Sequence, residues 1–259
     1  MISPKRVWQV LRAEGISEVA ARASIRVLPP RPLALADVLA PGVTLAWQPE
    51  QCLEILAESA GKPAPSREVF AGWLREWEES VDFGVKAPTE IPAEWNIEKQ
   101  TSILLYCLVR WHAPQAVLET GIARGASSLS ILRAMERNGH GRLFSVDVME
   151  DVGILVPEAL YSRWSKTILD PEKAREEFLS LVQQIKPIDI FFHDSDHNER
   201  WMAFEFAAVT PMMADGGIFA SDDVHQNRSY LDAVGNRGEC VLLLDTRKAS
   251  GFSISRHGE

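Results

Sequence analysis

From residue 97 onward, short apolar runs alternate with longer amphipathic ones, and this alternation constrains the fold more than any other feature. Apolar runs fall at 116–119 (AVLE), 142–148 (RLFSVDV), 164–169, 188–193 (IDIFFH), 217–221 (GIFAS), 240–244 and 251–255. Between them, helical spacing recurs over 98–112, 127–138, 172–185, 200–213 and 228–237. In the first of these, Ile103, Leu104, Leu105, Leu108 and Val109 form the side to be buried. Strands alternating with helices predict an α/β domain, with a mostly parallel sheet and helices on both faces.

The segment before it differs. Pro29, Pro30, Pro32, Pro41, Pro49, Pro63 and Pro65 make 29–65 read as an irregular connection with one short helix at 51–59. A helix is expected over 67–81, with Trp73 and Trp77 on one face, where packing explains the pair at least as well as substrate stacking. Pro88 and Pro92 precede a boundary near residue 95. The expected organisation is a helical, Pro-rich extension over 1–95 and an α/β domain over 96–259.

Charge narrows the partners. The chain has 259 residues and a net charge of −9, which argues against a nucleic-acid surface. Yet Lys5, Arg6, Arg12, Arg22, Arg26 and Arg31 give residues 1–32 a charge of +4. Val7, Val10, Leu11, Ile16 and Val19 recur there at near-helical spacing. Such a helix can make peripheral contact with an anionic membrane face, or pack on its own domain or on a second copy in a homo-oligomer. Cys52, Cys107 and Cys240 show no CxxC spacing and read as reduced, partly buried thiols. No apolar run nears the roughly 20 residues that span a bilayer, and the amino terminus lacks a secretory pattern. The expected location is the cytoplasm.

Two places carry chemistry. The first is the turn after 116–119, within AVLETGIARGASS. In an open parallel sheet, ligands sit beyond the carboxyl ends of the strands at the switch point. Gly121 and Gly125 suit a close backbone approach to a ligand, and the following helix would present free amides and its positive dipole end. The spacing is GxxxG rather than GxGxxG, which disfavours pyrophosphate. Glu119, directly before the turn, would repel a pyrophosphate and suit a cationic group. Asp147 ends the next strand, where an acid can accept from ribose hydroxyls. An ordinary strand-to-helix turn is the bland alternative.

The second place pairs FFHDSDHNER (191–200) with FASDDVHQN (219–227). Each follows a strand, so adjacent parallel strands would bring Asp194, Asp196, Asp222 and Asp223 to one sheet edge, with His193, His197 and His225 nearby. Crowded carboxylates repel unless protonated or bound to a cation. Carboxylate oxygens favour Mg²⁺, Ca²⁺ or Mn²⁺, and the histidines leave Zn²⁺ open. The competing reading is a solvated acidic loop, with Asp196, Asp222 or Asp223 as helix caps.

VLETG and SVDV, with these acidic segments, resemble the class I S-adenosylmethionine-dependent methyltransferases over about 97–255. The resemblance implies a Rossmann-like, seven-stranded sheet and S-adenosyl-L-methionine as cofactor. Glu119, Thr120, Gly121, Gly125 and Ser127 would lie around its methionine end, Asp194 would border it, and Asp147 would hold the ribose. Asp194, then His197 at +3 and Asp222-Asp223 at +28 and +29, is similar to the pattern of metal-dependent catechol O-methyltransferases. Histidine in place of lysine, and Asp223 in place of asparagine, resemble instead the macrocin and mycinamicin sugar O-methyltransferases. That likeness implies Asp194, Asp222 and Asp223 as Mg²⁺ ligands, His197 as general base with Asp194 beside it, and Asp196 as an orienting residue. His193 and His225 read as structural. The expected acceptor is a hydroxyl of a sugar, a glycosylated natural product or a surface glycan. Two other readings remain open: a metal-dependent hydrolase using the same carboxylates, and a non-catalytic scaffold on this fold.

Overall fold

The computed structural model describes residues 42–84, 89–234, 240–245 and 248–256. The expected basic helix within 1–32 lies outside them. Among the described residues no helix is long and apolar enough to cross a membrane.

Among the described residues, eight strands form one sheet: β1 (Val43–Ala46), β2 (Ala116–Thr120), β3 (Arg142–Asp147), β4 (Trp164–Ile168), β5 (Ile188–His193), β6 (Met213–Ser221), β7 (Cys240–Leu244) and β8 (Ala249–Ile254). Their spatial order is β1-β7-β8-β6-β5-β2-β3-β4. All neighbours pair in parallel except β8, which runs antiparallel to β6 and β7. The expected seven strands are therefore corrected to eight. The addition is β1, inside the proline-rich connection, where four residues between Gly42 and Pro49 are too short to signal a strand. They hold as an edge strand because β7 supplies the ladder.

Among the described residues, the α-helices are α1 (Pro49–Ser59), α2 (Arg67–Ser80), α3 (Lys99–His112), α4 (Ala126–Asn138), α5 (Ala174–Ile185), α6 (Glu199–Val209) and α7 (Ser229–Val234). Local chemistry sets several ends. Pro49 starts α1, the Ser66 hydroxyl caps α2, and Asn198 caps α6 through the Trp201 amide. Gly125 and Gly139, both left-handed, bracket α4. The helix expected to reach 213 ends at Val209, because a 3-10 turn carrying Pro211 intervenes. Strand β6 is longer than expected for the same reason.

Helices α1 to α4 cover one sheet face and α5 to α7 the other. In β5 the alternation is explicit: Ile190 and Phe192 face the first layer, and Phe191 the second. Phe191, Phe206 and Phe219 meet with ring centroids 5.2–6.3 Å apart. Each buried phenyl ring stabilises the fold by roughly 1.5–3 kcal/mol. The described part of the extension belongs to this packing: Cys52, Leu53 and Leu56 of α1 are buried in the first layer. Trp77 is buried beside Phe83 and donates to the Ser102 hydroxyl, so its role is packing. The three cysteines are free and buried, and burial pushes each thiol up, which leaves them unreactive.

The chain passes from β2 outward to β4, then returns to β5 on the other side of β2. This is the topological switch point, where the carboxyl ends of β2 and β5 lie side by side. The Asp194 amide donates to the Thr120 carbonyl at 2.7 Å. At Gly121 (φ +85°) an added Cβ would stand 1.9 Å from the Asp194 carbonyl oxygen. The backbone that needs this glycine is thus the protein's own.

Gly121→Ala should therefore lower unfolding stability by about 2 kcal/mol or more, because strain and clash combine. Gly61→Ala, also at positive φ but with nothing within 4 Å, should cost about 1 kcal/mol. Urea unfolding of both variants would show the contrast; equal losses would mean that the close approach has no energetic weight.

Candidate active site

The turn after β2 is supported from both sheet faces. Glu119 is fully buried under α4, where its Oε2 accepts from Ser128 Oγ (2.5 Å) and Ser145 Oγ (2.6 Å). Burial raises its pKa against the lowering effect of the Ser127, Ser128 and Ser145 hydroxyls. Its Oε1 is buried with no protein partner. Thr120 points to the opposite face and donates to Glu205 Oε2 at 2.8 Å. Gly125 (φ +88°) packs 3.0 Å, by its would-be Cβ, from Gly153. No side chain caps α4, so its first amides face the turn. Ser127 is buried in that first turn. Arg124 Nε reaches back to the Ile91 carbonyl at 2.7 Å, tying the extension to the turn.

Asp147 stands at the end of β3, as expected for a ribose ligand. Its Oδ2 accepts from the amides of Ile122 (2.9 Å) and Ala123 (3.3 Å), and its Oδ1 from those of Val148 (2.7 Å) and Met149 (2.9 Å). A carboxylate has about four lone-pair sites, so this one first shapes the turn, and a ribose would have to share it.

The acidic segments converge. Asp194 follows β5 and Asp222-Asp223 follow β6, whose ends are neighbours. His197 Nε2 lies 3.6 Å from Asp194 Oδ1 and 3.5 Å from Asp223 Oδ2. Burial alone would push its pKa down, but Asp194 and Asp223 outweigh that and hold it at about 9. Asp223 is left-handed (φ +52°), a conformation that Asp tolerates at some cost. Asp222 is 1% exposed and accepts from Ser250 Oγ at 2.5 Å. Burial, then Asp223, raises the Asp222 carboxyl, and burial raises that of Asp194.

The other candidates take lesser places. His193 is wholly buried, with Nδ1 2.6 Å from Glu205 Oε2, and is structural. Glu205 also accepts from Ser195 Oγ (3.0 Å) and Trp201 Nε1 (2.6 Å), which fixes the loop carrying Asp194 and His197. Asp196 accepts from the Asn198 amide and shapes the entry to α6. His225 Nδ1 accepts from the Ala249 amide at 3.4 Å, and burial lowers its pKa, keeping the ring neutral.

Two charged residues enter without any signal in the sequence pattern. Lys248, just before β8, places Nζ 3.7 Å from both Asp222 Oδ2 and Asp223 Oδ1. Glu98, the residue before α3, meets the same ammonium at 3.2 Å. Burial and Asp222 push the Glu98 carboxyl up to about 7, against Lys248. No spacing ties Lys248 or Glu98 to the aspartates; only the hairpin and the start of α3 bring them in.

The Mg²⁺ set expected from Asp194, Asp222 and Asp223 meets a further charge in this arrangement. Their oxygens have the right chemistry, but the ammonium already bridges Asp222 and Asp223. Among the described residues no three His, Cys, Asp or Glu side chains form a metal-holding group.

A His whose folded pKa stands above its unfolded value stabilises the fold fully below the unfolded value, and that stability is lost as pH rises through the folded one. For His197 the window runs from the ordinary 6.5 to about 9. The raised carboxyls of Asp194 and Asp222 act in the same direction at lower pH. Urea midpoints should fall across this window in the wild type and fall less in His197→Gln. Identical slopes in the two proteins would contradict the placement of His197 between the carboxylates.

Residues 118–224, which hold the glycine turn and both acidic segments, match a family described as a methyltransferase domain. No curated protein matches the sequence significantly. Among solved structures, an O-methyltransferase from Bacillus cereus in complex with S-adenosylhomocysteine superposes with a TM-score of 0.54 at 14% identity, over 81% of this chain and 100% of that one. TomG from Streptomyces achromogenes, an O-methyltransferase involved in tomaymycin synthesis and solved with S-adenosylmethionine, gives 0.52 at 14% identity over 81% and 100%. With the strand order and the switch-point turn, these solved structures show that the chain has the fold of class I S-adenosylmethionine-dependent methyltransferases, and 118–224 is similar to the methyltransferase-domain family.

Proposed function

We propose that the protein is an O-methyltransferase that moves a methyl group from S-adenosylmethionine to a hydroxyl of a sugar, a glycosylated natural product or a surface glycan. One observation carries the reading. A histidine flanked by two carboxylates projects from the loop whose backbone packs directly on the glycine turn. Base and cofactor turn are then held by one rigid junction, and much of the rate gain would come from such positioning.

The residues fit the cofactor. The uncapped first turn of α4 suits its carboxylate, and the unpartnered Glu119 Oε1 is an acceptor of the kind an ammonium satisfies. Asp147 would meet the ribose while keeping its hold on the turn. When bound, the cofactor supplies a sulfonium methyl group, whose C–S bonding pair stays on sulfur as the acceptor oxygen takes the carbon. His197 Nε2 takes the proton that this oxygen sheds. Asp194 and Asp223 stabilise the imidazolium that results. Glu98 and Lys248, the partly exposed charges of this edge, offer both an acceptor and a donor, which suits a polyhydroxylated acceptor better than an apolar ring. The extension up to residue 95 would shape the acceptor side through the Arg124–Ile91 tie.

Calorimetry with S-adenosylhomocysteine should give saturable binding near one equivalent, unchanged in His197→Gln. Methyl transfer from labelled cofactor into extract of the source organism should fall about 10²- to 10⁴-fold in that variant. Wild-type transfer should also rise with pH toward about 9, where His197 loses its proton. Absence of cofactor binding would remove the reading, and full activity in His197→Gln would remove the base.

A further inference from the structure

Lys248 does more than decorate the acidic edge. Its ammonium is equidistant, at 3.7 Å, from one oxygen each of Asp222 and Asp223. Both oxygens are buried, and neither has a hydrogen-bond partner. The rest of each carboxylate is fixed elsewhere. Asp222 Oδ1 is held by Ser250, whose hydroxyl meets Thr101 at 2.9 Å. Asp223 Oδ2 is held by Gln226 Nε2 at 2.9 Å and faces His197. The two free oxygens are thus presented to one point by structure that does not depend on Lys248. Glu98 holds the ammonium from a third side at 3.2 Å.

We propose that Lys248 is the resident cation of this site, occupying the position between Asp222 and Asp223 that a divalent ion would take, so that methyl transfer runs without a divalent metal. This rests on the methyltransferase reading above. Two arguments support it. A buried pair of adjacent carboxylates needs a counter-charge, and the chain supplies one from its own hairpin, with Glu98 placed to hold it. An ion between the same two oxygens would also face the ammonium at close range, and like charges there repel strongly.

The chemistry needs no further reactant. The acceptor proton passes to His197, the new C–O bond forms as the C–S bond breaks, and Lys248 keeps its protons throughout. Its charge stabilises the acceptor oxygen as that proton leaves. Asp223 couples the two groups, with one oxygen toward Lys248 and the other toward His197.

Manganese titration followed by electron paramagnetic resonance, with Mn²⁺ alone as probe, tests the occupancy directly. Wild type and Lys248→Arg should leave the free Mn²⁺ signal undiminished up to about millimolar concentration. Lys248→Met, which vacates the position, should bind Mn²⁺ at least ten-fold more tightly than wild type. Micromolar binding of one Mn²⁺ per chain by the wild type would overturn the proposal, whether or not Lys248→Met folds. So would a folded Lys248→Met with no gain. Calorimetry with S-adenosylhomocysteine in EDTA separates the two readings. Absence of that binding both with and without EDTA counts against the methyltransferase reading, whereas its loss in EDTA alone, like the manganese result, counts against Lys248 as the resident cation.

Discussion

The contact between the Gly121 turn and the Asp194 backbone is the constraint on which the rest of this structure depends. A parallel sheet that grows outward from a central strand must open somewhere, and here it opens between β2 and β5. The Asp194 amide closes that opening by bonding to the Thr120 carbonyl, and its carbonyl oxygen fills the space that any side chain at residue 121 would need. One junction therefore sets the sheet order, aims the start of α4, and fixes the first residue of the acidic cluster. Glu205 reinforces it from the far face by gathering Thr120, His193, Ser195 and Trp201 around one carboxylate.

Much of this was legible in the sequence because it is periodic. All seven strands of the expected domain are present, and the spacing from Asp194 to His197 and to Asp222-Asp223 does bring those side chains together. The short β1 was not legible, because four residues beside prolines carry no period and gain their stability only from β7. Nor were Glu98 and Lys248. Their contribution depends on where a hairpin and a helix start finish in space, and neither residue stands at a telling distance from any aspartate. Asp147 shows a different limit. Its position at a strand end was evident, but its four bonds to backbone amides, which make it part of the turn's own architecture, follow from loop geometry alone.

The electrostatics of the edge follow from burial more than from charge count. Asp222 is almost wholly removed from water, and a lone carboxylate there would shed its charge by protonation. Ser250, Lys248 and the neighbouring imidazole offset that push in part. His197 gains its proton affinity from the same crowding. On the proposed reading, a base held at about 9 would be mostly protonated at neutral pH, so few molecules would be competent at any instant, but each would abstract a proton with greater driving force. That balance would suit the proposed alcohol acceptor, which is a far weaker acid than a phenol. An acceptor hydroxyl of high pKa needs a strong base and a nearby cation more than it needs an abundant base.

The strain at Asp223 belongs to this same arrangement. A left-handed aspartate is tolerated only where neighbours fix it. Here Gln226 binds Oδ2 through its side-chain amide and bonds the Asp223 carbonyl through its backbone N–H, which holds the turn from both ends. In extended backbone, the side chains of Asp222 and Asp223 would point to opposite sheet faces, as successive residues of a strand do. The left-handed φ at residue 223, just past the end of β6, turns the second carboxylate toward the first. The two can then share Lys248, and one of them can reach His197. The left-handed turn is therefore what converts two consecutive aspartates into a single site.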